Sequence, residues 1–441
     1  MTMSVNINLN KLGIDELSPM QQEASRLILG GQADVVILSP TGSGKTLAYL
    51  LPLIQKIEVS RDELQAVVIV PNRELALQSS SILKALSTPV RSYACYGGRP
   101  AMDEHKQLKQ IQPQIIFATP GRINDHLTKG NIVTNSTQYV VIDEFDKCLE
   151  MGFQDEMKEV LTQLHSVKQR ILLSATDADS IPEFVNVNRL QRLDYLDEDN
   201  TTKQIQIFAV HSPEKDKLET LSKLLLTFDN QSSIVFVNYR DSAERIHEYL
   251  QEHRFSSTVF HGGLDQKQRE DSLYQFSNGS VNVLVSTDLA SRGLDIPDVS
   301  NIVHYHLPEH EDGYIHRIGR TARWDKKGKS FLIIGPTESI PEFISSDITN
   351  FDFPVQLPPV PMEPKMATLY IGKGKKNKIS KMDVVGFLCK KCGLKSTEIG
   401  RIDVKDYYVY VAVVRNKLQQ VLQLSKGEKI KGIKTLVEPV L

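Results

Sequence analysis

The chain is expected to be an α/β protein, with two parallel-sheet domains in tandem and a small α+β domain at the C-terminal end. Three patterns predict this. Short apolar runs alternate with helical stretches from Val35 to Thr176. After a polar interruption the same rhythm restarts at Ile205 and runs to Ile334. Beyond a proline-rich stretch, residues 365–441 read as four strands and two helices in the order βαββαβ. At 441 residues the chain is also too long for one hydrophobic core, and about three domains are expected.

The first domain is expected over residues 1–195, with strands at 34–38, 67–70, 115–119, 140–143 and 171–174. A βαβ rhythm implies a parallel sheet whose chemistry sits at the C-terminal ends of its strands. The first strand runs into Ser39, Pro40, Thr41, Gly42, Ser43, Gly44, Lys45 and Thr46, and helical spacing follows over 47–57. This is a phosphate-binding loop between strand and helix, opening on Ser39 where the pattern usually has glycine. Gly42 and Gly44 permit the tight turn that aims backbone N–H groups at a polyphosphate. Lys45 reaches the outer phosphates, and the Thr46 hydroxyl can ligate Mg²⁺. Further on, an apolar strand ends in Asp143, Glu144, Phe145 and Asp146. Asp143 is placed to hold hydrated Mg²⁺, and Glu144 to orient or deprotonate an attacking water. The two motifs together describe a nucleoside triphosphatase.

A polar linker is expected at 196–204, then a second α/β domain over 205–350 with no phosphate loop of its own. Its strands are expected at 205–210, 233–237, 257–260, 281–286, 302–306 and 329–334. Arginines stand three apart at Arg317, Arg320 and Arg323, a cluster able to stabilise charge on a transferring phosphoryl group. Five prolines over 351–364 predict an extended, fairly stiff linker to the last domain, 365–441.

Charged residues at 24% and hydrophobic residues at 40% describe a soluble globular chain. No apolar run approaches the ~20 residues of a membrane span, and the first ten residues lack the basic and apolar regions of a signal peptide. Four cysteines make no disulfide framework, so a cytoplasmic setting is expected. The net charge of −2 hides a division: residues 365–441 carry 17 basic and 6 acidic side chains, a balance of +11, and the remainder carries −13. A basic appendage on an acidic body suits an anionic polymer.

The ordered motifs over about residues 10–345 resemble the DEAD-box RNA helicases. The resemblance implies two RecA-like domains, with ATP and Mg²⁺ as cofactors and RNA as the partner. Gln21, ending the segment from Gly13, would recognise adenine, and Asp295 would join the nucleotide site. Arg320 and Arg323 would act with Lys45, Asp143 and Glu144 in hydrolysis when the domains close on ATP. Asp146, Ser174, Thr176 and His316 would couple hydrolysis to RNA work. Pro71, Arg73, Gly98, Thr119, Gly121, Arg122, Gln266, Arg269 and Thr287 would contact RNA. Phe145 stands where the family has alanine, which alters packing beside the site and leaves all three carboxylates. No aromatic residue precedes Gln21, and Ile14 stands where phenylalanine is usual.

The βαββαβ order of the last domain is that of an RNA-recognition fold. Its tyrosines, Tyr407, Tyr408 and Tyr410, fit sheet packing better than base stacking, so RNA contact is expected through lysines and loops. Residues 366–438 resemble the RNA-binding domain of DbpA-type DEAD-box proteins. That implies anchoring to 23S ribosomal RNA and pre-50S particles, with Lys373, Lys375, Lys376, Lys378, Lys429 and Lys431 in contact. Cys389 and Cys392 lie on one helix face and read as apolar positions; no second ligand pair for zinc accompanies them. A monomeric ATP-dependent RNA helicase is the leading reading. A non-unwinding RNA-binding scaffold, a helicase on other RNA and a DNA translocase stay open.

Overall fold

The computed structural model describes residues 9–440 apart from 13, 32, 41, 99–100, 178–180, 197–204, 292–298, 322–327 and 345–346. The described residues form two compact units, before and after residue 200.

In the first unit the order is α1 (Pro19–Gly30), β1 (Val35–Leu38), α2 (Lys45–Lys56), β2 (Ala66–Ile69), α3 (Arg73–Ala85), β3 (Ser92–Cys95) and α4 (Ala101–Ile111). It continues with β4 (Ile115–Ala118), α5 (Pro120–Thr128), β5 (Tyr139–Ile142), α6 (Phe145–Glu150), α7 (Gln154–Gln163), β6 (Gln169–Ser174) and β7 (Gln191–Asp194). The seven strands are all parallel, in the order β3-β4-β2-β5-β6-β1-β7. Both faces are covered, so the central strands are uninterrupted apolar runs. Val35 and Ile37 pack with α1 and α2 residues such as Ile28 and Leu50, whereas Val36 and Leu38 pack with Ile123, Cys148 and Val160 on the other side. Two strands lay outside the sequence expectation. β3 has a mixed Ser-Tyr-Ala-Cys sequence, and β7 is an edge strand with only Leu193 buried, so neither carries an apolar run.

The second unit repeats the plan with β8 (Ile205–His211), α8 (Leu218–Leu226), β9 (Ser233–Phe236), α9 (Arg240–Glu252), β10 (Ser257–Phe260) and α10 (Gln266–Ser277). Then come β11 (Val283–Ser286), β12 (Asn301–His304), α11 (Glu311–Ile318), β13 (Gly328–Ile334) and the short edge strand β14 (Ile348–Asn350). These strands are parallel too, in the order β10-β11-β9-β12-β13-β8-β14. The prolines that follow do not hang free: Phe351 packs edge-on to Phe208 and Phe331, and Pro358, Val360, Pro361 and Met362 line a groove with Leu225, Phe228 and Phe255.

The C-terminal residues belong to this same unit. They form β15 (Met366–Ile371), α12 (Lys381–Lys390), β16 (Ile399–Val404), β17 (Val409–Val414), α13 (Leu418–Leu424), a small hairpin β18 (Lys429–Ile430) and β19 (Ile433–Lys434), and β20 (Val437–Pro439). The antiparallel sheet has the order β16-β17-β15-β20. Leu369, Ile371, Val409, Val411 and Val413 turn one face onto Val384, Leu388 and Val421 of the two helices. The hairpin was not anticipated, because two-residue strands leave no periodic signal. Cys392 is buried in this core and Cys389 is half-buried.

Candidate active site and nucleic-acid interface

Sheet order decides which loops meet. In the first unit β1, β6 and β5 are neighbours, so their C-terminal ends carry the phosphate loop, Ser174 to Thr176, and Asp143 to Asp146 side by side. Ser39 N–H donates to the Ser174 carbonyl at 3.0 Å, tying the first two together. Gly42 and Gly44 both have φ +89, in the left-handed region that favours glycine. At Gly44 a Cβ would stand 2.3 Å from Gln21 Nε2, so any side chain there would displace the Gln21 amide as well as strain the positive φ. Gln21 is fixed by its helix start: Ser18 and Gln21 form the capping box of α1, and Gln21 Nε2 donates to the Gly44 carbonyl at 3.2 Å. Lys45 Nζ donates to the Ser39 carbonyl and, at 2.9 Å, to the Pro40 carbonyl. Thr46 follows in the first turn of α2, half-buried, and Thr41 lies outside the described residues. Left-handed glycines, a buried ammonium and a helix N-terminus are the donor set a Mg²⁺-bound triphosphate requires.

Asp143 is buried and accepts from Glu144 N–H at 3.0 Å. Burial pushes its carboxyl up to about 6, against the pull of the Lys45 charge. Tyr49, buried on α2 beside Asp143, keeps its phenol protonated. Glu144, buried just after β5, sits in the left-handed region at φ 50, a strained turn for a non-glycine residue. Asp146 accepts from the Thr176 hydroxyl at 3.0 Å, and the Ser174 hydroxyl donates to the Thr176 carbonyl at 2.5 Å. The three proposed coupling residues of this unit therefore form one hydrogen-bonded set. Phe145 is 2% exposed and belongs to the apolar cluster with Ile123, Ile142 and Val36. It fills core, so the aromatic substitution leaves the carboxylates where they are.

The other half of the same edge, after β2, β4 and β3, carries the expected RNA residues. Pro71 is buried, and Arg73 Nε pairs with Glu74 at 2.8 Å. Gly98, at φ +87, brings its backbone over the Arg73 guanidinium, where a Cβ would come within 3.3 Å of Nη1. Thr119 is the N-cap of α5 and Gly121 is exposed on it. Arg122 Nε lies 3.1 Å from both the Tyr96 carbonyl and Glu104 Oε2. Glu104, 1% exposed, also meets His126 Nε2 at 3.0 Å. Cys95 completes a buried Cys95–Glu104–His126 cluster, but burial holds its thiol protonated and Arg122 already neutralises the carboxylate. The cluster is an ion-pair network that fixes Arg122. Sequence reading missed Glu104 and His126, since nothing local distinguishes them from surface-helix residues.

In the second unit Gln266 opens α10, its Nε2 donating to Glu270 at 2.7 Å, and Arg269 Nη2 donates to the Gly262 carbonyl at 2.6 Å. His261 meets Glu244 at 2.7 Å and accepts from Gly263 N–H. Thr287 is half-buried after β11, and His316 and Arg320 are buried on and just after α11. Asp295 and Arg323 lie outside the described residues. Arg317, 1% exposed, spends its donors on Asp288, on Asn238 Oδ1 at 2.8 Å and on the His306 carbonyl at 2.9 Å. It is a strut between the ends of β9, β11 and β12. The spacing of three that grouped it with Arg320 and Arg323 carried no information about this.

The C-terminal sheet turns its outer face onto α10. Tyr274 stacks on Tyr410 at 4.8 Å, and Tyr408 and Tyr410 donate to Glu270 and Asp271. The expected lysines sit elsewhere. Lys375, Lys376, Lys378, Lys429 and Lys431 are exposed and Lys373 half-buried, on the loops after β15 and around the hairpin. Lys376 lies over the exposed Tyr407 ring at 4.5 Å. Gly374 allows this loop to seat on the β16–β17 turn: a Cβ there would stand 2.3 Å from the Lys405 carbonyl.

Comparison with known proteins agrees with this geometry. The DEAD/DEAH box helicase family matches residues 18–184, the helicase conserved C-terminal domain 216–325, and the DbpA RNA binding domain 368–439. The ATP-dependent RNA helicase DbpA of Escherichia coli is 36% identical over 434 residues, 96% of this chain and 94% of the relative. The Bacillus subtilis DbpA is 30% identical, over 96% of this chain and 95% of the relative. The chain belongs to the DbpA-type DEAD-box ATP-dependent RNA helicases. Among solved structures, S. cerevisiae Dbp5 bound to RNA and ADP BeF3 is similar with a TM-score of 0.69 at 26% identity, covering 78% of this helicase and 92% of that chain. Mss116p bound to ssRNA and AMP-PNP gives the same TM-score at 27% identity, covering 78% and 76%. The helicase is thus an RNA-dependent ATPase with two RecA-like sheets and a C-terminal RNA-binding fold. Among its described residues no helix is long and apolar enough to cross a membrane.

Proposed function

We propose that this helicase remodels large-subunit ribosomal RNA, acting in the cytoplasm as a monomer on 23S rRNA in pre-50S particles. The observation that carries its enzymatic half is the adjacency of β1, β6 and β5, which gathers Lys45, Asp143, Glu144 and the Asp146–Thr176 hydrogen bond at one sheet edge. ATP bound with Mg²⁺ supplies the phosphoryl group whose transfer to water drives the cycle. Lys45 and the loop from Ser39 to Thr46, through the backbone N–H groups that follow Pro40, hold phosphate, Thr46 and Asp143 serve the metal, and Gln21 reads the base. Glu144 orients the water and accepts its proton. Arg320 and Arg323 stabilise charge on the transferring group, and Asp295 joins the nucleotide site. Asp146, Ser174, Thr176 and His316 pass the change to the RNA contacts. Those contacts read sugar and phosphate, giving RNA preference with little sequence preference.

Ribosomal RNA specificity belongs, on this reading, to residues 365–441, through the exposed lysine loops and Tyr407. Two experiments test the two halves. Lys45→Ala and Glu144→Gln are expected to abolish RNA-stimulated ATP hydrolysis; normal turnover in both variants overturns the enzymatic roles. Crosslinking in cells is expected to recover 23S rRNA with the wild-type chain and much less with Lys375, Lys376 and Lys378 changed together to Glu. Equal recovery of unrelated RNA by the wild type overturns the ribosomal assignment.

A further inference from the structure

Helix α10 has two jobs on two sides. Its first turn carries Gln266 and Arg269, the proposed RNA contacts. Its opposite face, at helical spacing, carries Lys267, Glu270, Asp271, Tyr274 and Asn278, and every one of these meets the C-terminal sheet. Lys267 lies over the Tyr370 ring at 5.4 Å. The Tyr274 hydroxyl donates to the Arg401 carbonyl at 2.7 Å, and Asn278 donates to the Thr368 hydroxyl at 2.8 Å. Arg415 reaches the Ser280 carbonyl at 2.8 Å just beyond the helix. Tyr410 is 1% and Thr368 2% exposed in this arrangement. The sheet face that an RNA-recognition fold could offer to bases is occupied by protein.

One residue belongs to both jobs. Glu270 accepts from the Tyr408 hydroxyl with Oε2 and from Gln266 Nε2, at 2.7 Å, with Oε1. A carboxylate accepts on both oxygens and donates on neither, so this pairing fixes the rotamer of the Gln266 amide: its NH₂ faces Glu270. A hydrogen bond to a charged acceptor is among the stronger ones in a protein.

We propose that Glu270 is a positioning residue through which the docked C-terminal domain sets the RNA grip of the second helicase domain. The chain Tyr408–Glu270–Gln266 orients Gln266 for the RNA backbone, so RNA caught by the C-terminal domain is handed to a contact already set. The proposal rests on the reading of Gln266 as an RNA contact.

The test uses the full-length chain and a single-stranded RNA of unrelated sequence, so that C-terminal recognition does not enter. The RNA concentration for half-maximal ATPase and the turnover at saturating RNA are measured separately. Tyr408→Phe keeps the ring and removes the hydroxyl. Glu270→Gln has one accepting oxygen in place of two, so it cannot accept from Tyr408 and Gln266 on separate oxygens as the carboxylate does. Both are expected to raise the half-maximal RNA concentration about five- to tenfold, a fraction of what one charged hydrogen bond is worth because the lost bond acts on RNA only through Gln266, with saturated turnover within about twofold. Asn278→Ala loosens the same dock away from Glu270 and is expected to leave both values unchanged. Gln266→Ala separates the two readings. If it leaves the half-maximal RNA concentration unchanged, the RNA-contact reading fails. If it raises that value while Tyr408→Phe and Glu270→Gln do not, the contact stands and the relay is overturned. An equal rise in Asn278→Ala also overturns the relay, because the effect then follows the dock as a whole. Adding Gln266→Ala to Tyr408→Phe is expected to give no further loss, as residues acting in series are not additive.

Discussion

At Asp143 the chemistry of the site conflicts with stability. Burial raises its carboxyl to about 6, the Lys45 charge only partly opposing this. Between about pH 4 and 6 the folded, magnesium-free protein therefore binds a proton that the unfolded chain releases, and stability falls as pH rises through that window. Above it the ionised group costs on the order of 2–3 kcal/mol. Asp143→Asn is expected to raise the unfolding temperature of EDTA-treated protein at about pH 7.5, to change it little at about pH 4.5, and to abolish hydrolysis. Equal shifts at the two pH values would refute the burial account. Arg317 makes a different prediction. Because it bridges Asp288, Asn238 and the His306 carbonyl, Arg317→Ala should lower stability by about 2 kcal/mol in urea unfolding, less than a fully buried pair because Asp288 is partly solvated. A variant that lost turnover with no loss of stability would restore Arg317 to the catalytic cluster. Lys45, Asp143 and Glu144 were legible as candidate site residues in the sequence because each sits in a short motif of recognisable spacing. The role of Arg317 was not, because it depends on three strand ends that lie up to 79 residues from it in the chain.

At the scale of elements, the loop between β15 and α12 is held by backbone contact, with Lys375 and Lys376 N–H donating to the Lys405 and Asp406 carbonyls. Gly374→Ala forces this loop off the β16–β17 turn, since the obstructing atom is backbone and cannot rotate away. RNA affinity of the full chain should fall about three- to tenfold with the circular dichroism unchanged, an over-packing cost of about 1 kcal/mol or more passing into lysine placement. Unchanged affinity would place the RNA contact away from this loop. The strands of both parallel sheets were readable wherever burial on two faces demanded continuous apolar runs, as in Val35–Leu38 and Ile115–Ala118. Edge strands such as β7 and β14 were not, because a strand with one paired side needs backbone partners more than apolar side chains.

At the scale of the molecule, the C-terminal domain is docked on α10 and its proline segment is laid along the second helicase domain. Removal of residues 365–441 is expected to leave RNA-stimulated hydrolysis at high RNA concentration and to erase any preference for ribosomal RNA. It would also uncover Tyr274, 5% exposed in the full chain, and Asp271, so the truncated protein should melt at lower temperature. Binding of ribosomal RNA by the full chain should weaken steeply with salt, as counterions compete for the phosphates. A truncated protein that still preferred ribosomal RNA would move specificity into the helicase domains. Sequence by itself pointed to the chemistry: phosphate loop, acidic strand end and basic tail are local patterns, and their composition carries charge and donor geometry directly. Only the tertiary structure decided what the tyrosines of the last sheet touch. The sequence favoured packing over base stacking for Tyr408 and Tyr410, but the surface they pack on is made by Glu270, Asp271 and Tyr274, more than 130 residues away in the chain. A side chain's own sequence neighbourhood holds no record of a surface that distant.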